Sequence, residues 1–279
     1  MTQPEFAPIF TAPFGEPDAE KALATAPLDA QTIYLHHCAG LTDLNQFLRF
    51  PHLRKLSVRN CQNLADVSAL SALPLLESLD LSGAAVVDLT PLAELRNLRS
   101  LWLFSFLLPL SPEQLRPLTG LRQLFLAGSD FGGSLAFATG FQELRTLDLG
   151  WCRIENLAPL AAFPSLAYLE LANATLPDGF TIPEMAQLRT LSLGGIRFPK
   201  ALPSLRPLPA LTILSVVDSP ELSDVAALRD AAALELLILR NCPNLAGELP
   251  TGALGRLSHV FLSGTPAQLP TNQESLLSD

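Results

Sequence analysis

Four cysteines, two adjacent histidines and a pair of carboxylates are the residues of this 279-residue chain best suited to chemistry. Cys38, Cys61, Cys152 and Cys242 could ligate zinc or pair as disulfides, and four cysteines allow three pairings. No C-x-x-C spacing is present, so neither a zinc nor a redox signature is formed. Each cysteine instead falls three residues after a recurring apolar position, which reads as a small side chain turned inward as a buried thiol. His36 and His37 beside Cys38 are the one metal-like grouping, but the same phase points Cys38 inward and the histidines outward, so no metal is expected. His52 and His259 have no partner motif. Asp148 and Glu170 stand one repeat apart, near enough for paired acid–base work, yet no nucleophile or pocket accompanies them. No G-x-S-x-G, H-E-x-x-H, Walker A or dinucleotide pattern occurs, and Gly128, Gly132 and Gly133 are followed by no Lys-Ser/Thr. The expectation is a non-enzyme that needs no cofactor.

The elements that must position these residues follow from a repeat. The pattern L-x-x-L-x-L starts at 30, 53, 76, 98, 121, 144, 166, 188, 211, 234 and 257, with steps of 22 or 23 residues. Representative copies are Leu76, Leu79, Leu81 and Leu144, Leu147, Leu149; the first, Ala30, Ile33, Leu35, is degenerate. Eleven copies in phase are a structural period. Counting from the first apolar residue, positions 4 and 6 share one face of a short strand, and that face points into the core. The half-repeat that follows is rich in proline and short apolar pairs, as in Leu89, Pro91, Leu92, and has no room for a long helix.

This pattern resembles the leucine-rich-repeat family, and more narrowly the short bacterial type with internalin-like repeats. The narrower likeness rests on Val87-Asp88-Leu89-Thr90-Pro91-Leu92-Ala93-Glu94-Leu95, on Ile154-Glu155-Asn156-Leu157-Ala158-Pro159-Leu160, and more loosely on Leu64-Ala65-Asp66-Val67-Ser68-Ala69-Leu70. The resemblance implies an α/β-type solenoid that is mostly β: a horseshoe or arc with a parallel concave sheet and an irregular or 3₁₀ convex side. The repeats are expected over residues 30–265. Residues 1–29, with Phe6, Ile9, Phe10, Phe14 and a short helix near Asp18–Ala24, are expected to cap the first repeat, and 266–279 to form a short polar tail. Bulges are expected after the fourth and fifth strands, at Leu107-Leu108-Pro109-Leu110 and Phe131-Gly132-Gly133.

Composition narrows the function. A net charge of −9 and a pI near 4.9 exclude the basic face that nucleic acid demands. Mean hydropathy is positive, but the longest apolar run, Leu101 to Leu110, is broken by Ser105 and Pro109 and is too short to span a bilayer. The segment MTQPEFAPIF has no basic start or apolar core, so a cytoplasmic location, where thiols stay reduced, is expected.

The remaining signal lies on the concave face, at positions 3, 5, 7 and 8 of each repeat. Both tryptophans and both tyrosines of the chain fall there: Tyr34, Trp102, Trp151 and Tyr168. Of fifteen phenylalanines only Phe104, Phe125 and Phe261 do. The bias is therefore specific to the amphipathic aromatics that dominate protein interfaces. Asp80, Asp148 and Glu170 share the strand column of Trp102 and Phe125, while Arg59, Lys55, His36 and His37 form a small basic group nearer the start. Together these residues predict capture of a protein partner with a basic and apolar surface. The sharper form is an inhibitor, such as an immunity protein that neutralises a bacterial toxin. An effector delivered into a host cell and a regulatory scaffold subunit of an enzyme fit the same sequence.

Overall fold

The computed structural model describes residues 9–105, 109, 111–197, 200–250 and 255–278. Phe6 of the expected cap and Leu107, Leu108 and Leu110 of the first expected bulge lie outside the described residues. The chain divides into two compact units, Met1–Phe131 and Gly132–Asp279.

In the first unit, six strands pair side by side in chain order, all parallel: β1 (Ile9–Thr11), β2 (Thr32–Tyr34), β3 (Lys55–Ser57), β4 (Ser78–Asp80), β5 (Ser100–Trp102) and β6 (Gln123–Phe125). Each repeat contributes one strand, and the inward pair at positions 4 and 6 is buried throughout. Leu79, Leu81, Leu101, Leu103, Leu124 and Leu126 are all 0% exposed. The return segments are single 3₁₀ turns, Asn45–Arg49, Ser68–Ala72, Thr90–Glu94 and Pro112–Leu115. Three begin at an aspartate two residues ahead, Asp43, Asp66 or Asp88, whose carboxylate accepts the first free amide at 2.8–2.9 Å. That local bond favours a tight turn over a helix. The repeat therefore has the expected composition: a parallel sheet on one side and 3₁₀ turns on the other.

At the N-terminus, Asp18 caps a short helix, α1 (Ala19–Leu23), by accepting the Lys21 amide at 3.1 Å. Ala22 and Leu23 bury against the first coil, and β1 adds a strand in register with β2. Two of the residues expected to do this covering, Ile9 and Phe14, stay exposed. Ile9 is 64% exposed and Phe14 80% exposed. Small residues on a helix can approach the coil closely, and Phe14 packs on the His37 ring instead, 4.6 Å between centroids.

The second unit repeats the design with β7 (Thr146–Asp148), β8 (Tyr168–Glu170), β9 (Thr190–Ser192), β10 (Ile213–Val217), β11 (Leu236–Arg240), β12 (Gly247–Glu248), β13 (His259–Phe261) and β14 (Ala267–Gln268). Strands β7 to β11 and β13 pair in that order, all parallel. β12 and β14 form a separate parallel pair. The last residues are not merely polar: Ala267 and Leu269 are buried, and Leu277 bridges Val260 beside β13, where the Ser278 amide donates to the Val260 carbonyl at 2.8 Å. That contact occupies part of an open sheet edge.

Two residue columns define where each strand ends. Position 9 holds Cys38, Cys61, Cys152 and Cys242, all buried and none in a disulfide, with Ser129 and Thr265 in the same phase. From there Cys61, Ser129, Cys242 and Thr265 donate to the position-6 carbonyl of the preceding coil, Leu35, Leu103, Val216 and Leu239 respectively. Burial raises the Cys61 thiol to about 11, so it stays a neutral donor. Position 8 is left-handed in every repeat: His37, Asn60, Gly83, Ser105, Gly128, Trp151, Asn173, Gly195, Asp218, Asn241 and Gly264 all have φ between 45° and 73°. The reversal of hand turns the chain so that the next side chain points inward. Glycine, asparagine and aspartate tolerate it; a bulky aromatic does so at a cost.

Candidate functional site on the open sheet face

Positions 3, 5 and 7 project from the sheet away from the core. In the first unit the position-5 side chains run across neighbouring strands as Tyr34, Ser57, Asp80, Trp102 and Phe125, in register. Parallel strands lie about 4.8 Å apart, which is the spacing at which two facing rings stack. Trp102 and Phe125 do so, with centroids 5.0 Å apart and planes 4° from parallel. Phe104, from position 7, meets Phe125 edge-on at 5.7 Å. All three remain partly exposed. The result is a rigid aromatic platform fixed by strand geometry.

Beside it lies a hollow of about 370 Å³, walled by Tyr34 and Trp102 and bounded by His36, Lys55, Arg59 and Asp80. Asp80 does not present a free carboxylate there. It is 7% exposed and accepts from the Ser82 amide at 3.0 Å, the Ser57 hydroxyl at 3.1 Å and Arg59 Nε at 3.1 Å, with Arg59 Nη2 at 3.0 Å. Its charge is spent on Arg59. His36 Nε2 lies 2.8 Å from Ser57 Oγ. Because the Ser57 hydrogen goes to Asp80, its oxygen accepts from His36, which fixes the Nε2–H tautomer. Burial lowers the His36 pKa, keeping the ring neutral. The Ser–His–Asp grouping is thus wired in the wrong order for nucleophilic catalysis, since the imidazole gives a proton to the serine instead of taking one.

In the second unit, Asp148 and Glu170 are register partners on β7 and β8. Asp148 accepts from the Gly150 amide and Glu170 from the Ala172 amide, both at 2.9 Å, and the Tyr168 hydroxyl donates to Glu170 at 3.0 Å. Burial and the neighbouring Glu170 hold the Asp148 carboxyl above its usual range, while burial and the same carboxylates push Tyr168 to about 12. Asp80, Asp148 and Glu170 thus have a local role in common, each accepting the amide two residues on, just before the left-handed turn. Trp151 is not among the strand side chains. It occupies the left-handed turn column, with φ of 60°, and is 71% exposed. Among the described residues no group of three or more His, Cys, Asp or Glu is placed to hold a metal, and no helix is long and apolar enough to cross a membrane.

Of the aromatics expected to cluster, Trp102, Phe104 and Phe125 are in ring contact, Trp151 and Tyr168 belong to the second unit, and Tyr34 and Arg59 line the hollow beside the platform. Sequence reasoning did not foresee that Asp80 is consumed by Arg59. The i, i+2 spacing from each position-5 acid to the turn was the available signal. The aliphatic outer face of β10 and β11 was also passed over, because aromatic and charged residues were the signal sought there.

Solved structures similar to this one share its coil. A leucine-rich-repeat protein of Leptospira interrogans matches at a TM-score of 0.66 and 19% identity, over 90% of this chain and 72% of that one. The chain has the leucine-rich-repeat fold. An internalin of Listeria monocytogenes matches over 92% of this chain and 90% of its own, at a TM-score of 0.54 and 20% identity. A plant peptide hormone receptor, solved in complex with RGF2, matches over 87% of this chain and 52% of its own, at a TM-score of 0.52 and 16% identity. No family profile and no curated protein matches the sequence. The likeness is therefore one of fold.

Proposed function

We propose that this chain is a binding module, with no catalytic role, that captures a specific protein partner on the open face of its sheet. The observation that carries the proposal is the Trp102–Phe125–Phe104 platform. Rings held rigid by strand register lose little entropy on contact, and a partly exposed tryptophan beside a hollow is the kind of anchor that dominates interface energies. The first unit favours an apolar or aromatic knob, since Asp80 is already paired. The basic part of the partner's surface is assigned to the carboxylates Asp148 and Glu170 of the second unit, where Trp151 and Tyr168 stand as further anchors. A plant peptide hormone receptor of similar fold, solved in complex with RGF2, is in keeping with use of the fold for recognition.

The sharper reading is that of an inhibitor: the partner, a toxin for example, is active alone and silenced when bound. The test is affinity capture from an extract of the source organism with the wild type, Trp102→Ala and Trp151→Ala, each shown to be folded. One protein retained by the wild type and lost from Trp102→Ala supports the reading. An identical set of proteins from all three contradicts it. Adding the purified chain to the captured protein then separates inhibition from mere assembly.

A further inference from the structure

The second unit carries an outer face of a different kind. β10 and β11 are five residues long where the other strands of the sheet have three, and their sequences, ILSVV and LLILR, do not alternate apolar with polar. Core-facing Leu214, Val216, Leu237 and Leu239 are 0% exposed, as the repeat demands. Most of the outward residues are apolar as well, the exceptions being Ser215 on β10 and Arg240 on β11. Ile213 on β10 is in register with Leu236 on β11, and Ile238 on β11 with Phe261 on β13; Val217 pairs with Arg240. All are half-buried. Single surface aliphatics need no explanation, but Ile213, Val217, Leu236, Ile238 and Phe261 gathered in neighbouring rows of β10, β11 and β13, with Ser215 and His259 completing those rows, do.

Arg240 gives that patch a charge preference. Its guanidinium lies 4.9 Å from the Phe261 ring centroid, which fixes its orientation. Its Nε is buried and has no hydrogen-bond partner. Among the described residues no carboxylate pairs with it; Asp218, in the adjoining turn column, is engaged by the Asn241 side chain at 2.7 Å. A cation held on an apolar surface without a counter-ion is an electrostatic demand that a partner's acid can meet, and a basic partner would be repelled.

We propose that the face formed by β10, β11 and β13 docks a protein segment presenting an aliphatic side chain beside an aspartate or glutamate, the carboxylate meeting Arg240. The surface is independent of the aromatic platform: it uses other residues, and it selects the opposite charge from Asp148 and Glu170. A library of random 12-residue peptides displayed on phage, panned against the intact chain, tests it. Enriched peptides are expected to carry an acid next to leucine, isoleucine or valine. A synthetic consensus peptide should bind wild type and Trp102→Ala alike, weaken roughly tenfold or more with Arg240→Gln, and lose binding with Ile238→Asp. Thermal melts of each variant confirm the fold. Failure to enrich any peptide, a consensus without an acid, or binding indifferent to Arg240→Gln overturns the proposal. So does a wild-type dimer that Ile238→Asp dissociates, because a second copy would then be the occupant. Loss of binding in Trp102→Ala alone would assign the peptides to the platform.

Discussion

Asp80 and Trp151 show how far a residue's type can mislead about its role. Asp80 looks like a ligand for a cationic partner, but three donors and the Arg59 charge already surround it. Removing it leaves those groups without an acceptor. Asp80→Ala is therefore expected to destabilise the fold by about 2–3 kcal/mol in urea unfolding, the penalty for partly buried polar groups left unpaired. Trp151 has the opposite character. Its column elsewhere holds glycine, asparagine, aspartate, serine and histidine, so nothing in the fold asks for an indole at a positive φ. Trp151→Asn should stabilise the chain by about 1 kcal/mol in the same assay, by relief of left-handed strain. A drop in stability would mean that the indole packs in a way its exposure conceals. Asp148 adds a pH signature. Its folded pKa is raised by burial and by Glu170, so the folded chain holds more protons than the unfolded one just above the ordinary aspartate value of 3.8. Stability then falls as pH rises through that window, and the whole penalty is present at neutral pH. Asp148→Asn, which can still accept the Gly150 amide, should melt higher than wild type at pH 7, with the gap closing once the pH is below that ordinary value.

At the scale of the element, the repeat was legible because the physics behind it is periodic. Leu101 and Leu124 must face inward, and the 22–23-residue step leaves space for a strand and one 3₁₀ turn. Each coil buries its leucines only against its neighbours, so Leu101→Ala in a middle coil should cost about 2–5 kcal/mol, read from the shift in denaturation midpoint. The cysteine column was legible for the same reason: a side chain that recurs in phase answers to the backbone, and Cys61 and Cys242 meet carbonyls of the coil before. The left-handed column was harder to see, since it mixes glycine with histidine, serine and tryptophan and shows no common residue type. The aliphatic strands β10 and β11 were missed because their outward residues look like more core. Only the two-residue alternation, followed strand by strand, separates Ile238 from Leu237.

For the molecule as a whole, the fold accounts for stability and leaves function to the residues that face outward. Leucines and the position-9 column recur from coil to coil, whereas the stacked pair Trp102–Phe125, the hollow beside it and the Arg240 patch belong to particular strands. Sequence period predicted the first group; the second depends on which side chains two or three particular strands bring into register. A net charge of −9 suits a partner that carries positive charge, so association should slow as salt is added while the dissociation rate stays nearly constant. Stopped-flow mixing at two ionic strengths checks this. The most direct test of the central claim is a calorimetric titration of the captured partner into wild type and Trp102→Ala. Loss of the stacked indole should weaken binding by about 2 kcal/mol or more, near thirtyfold, with the variant's melting temperature little changed. An unchanged affinity would place recognition elsewhere on the chain and contradict the account.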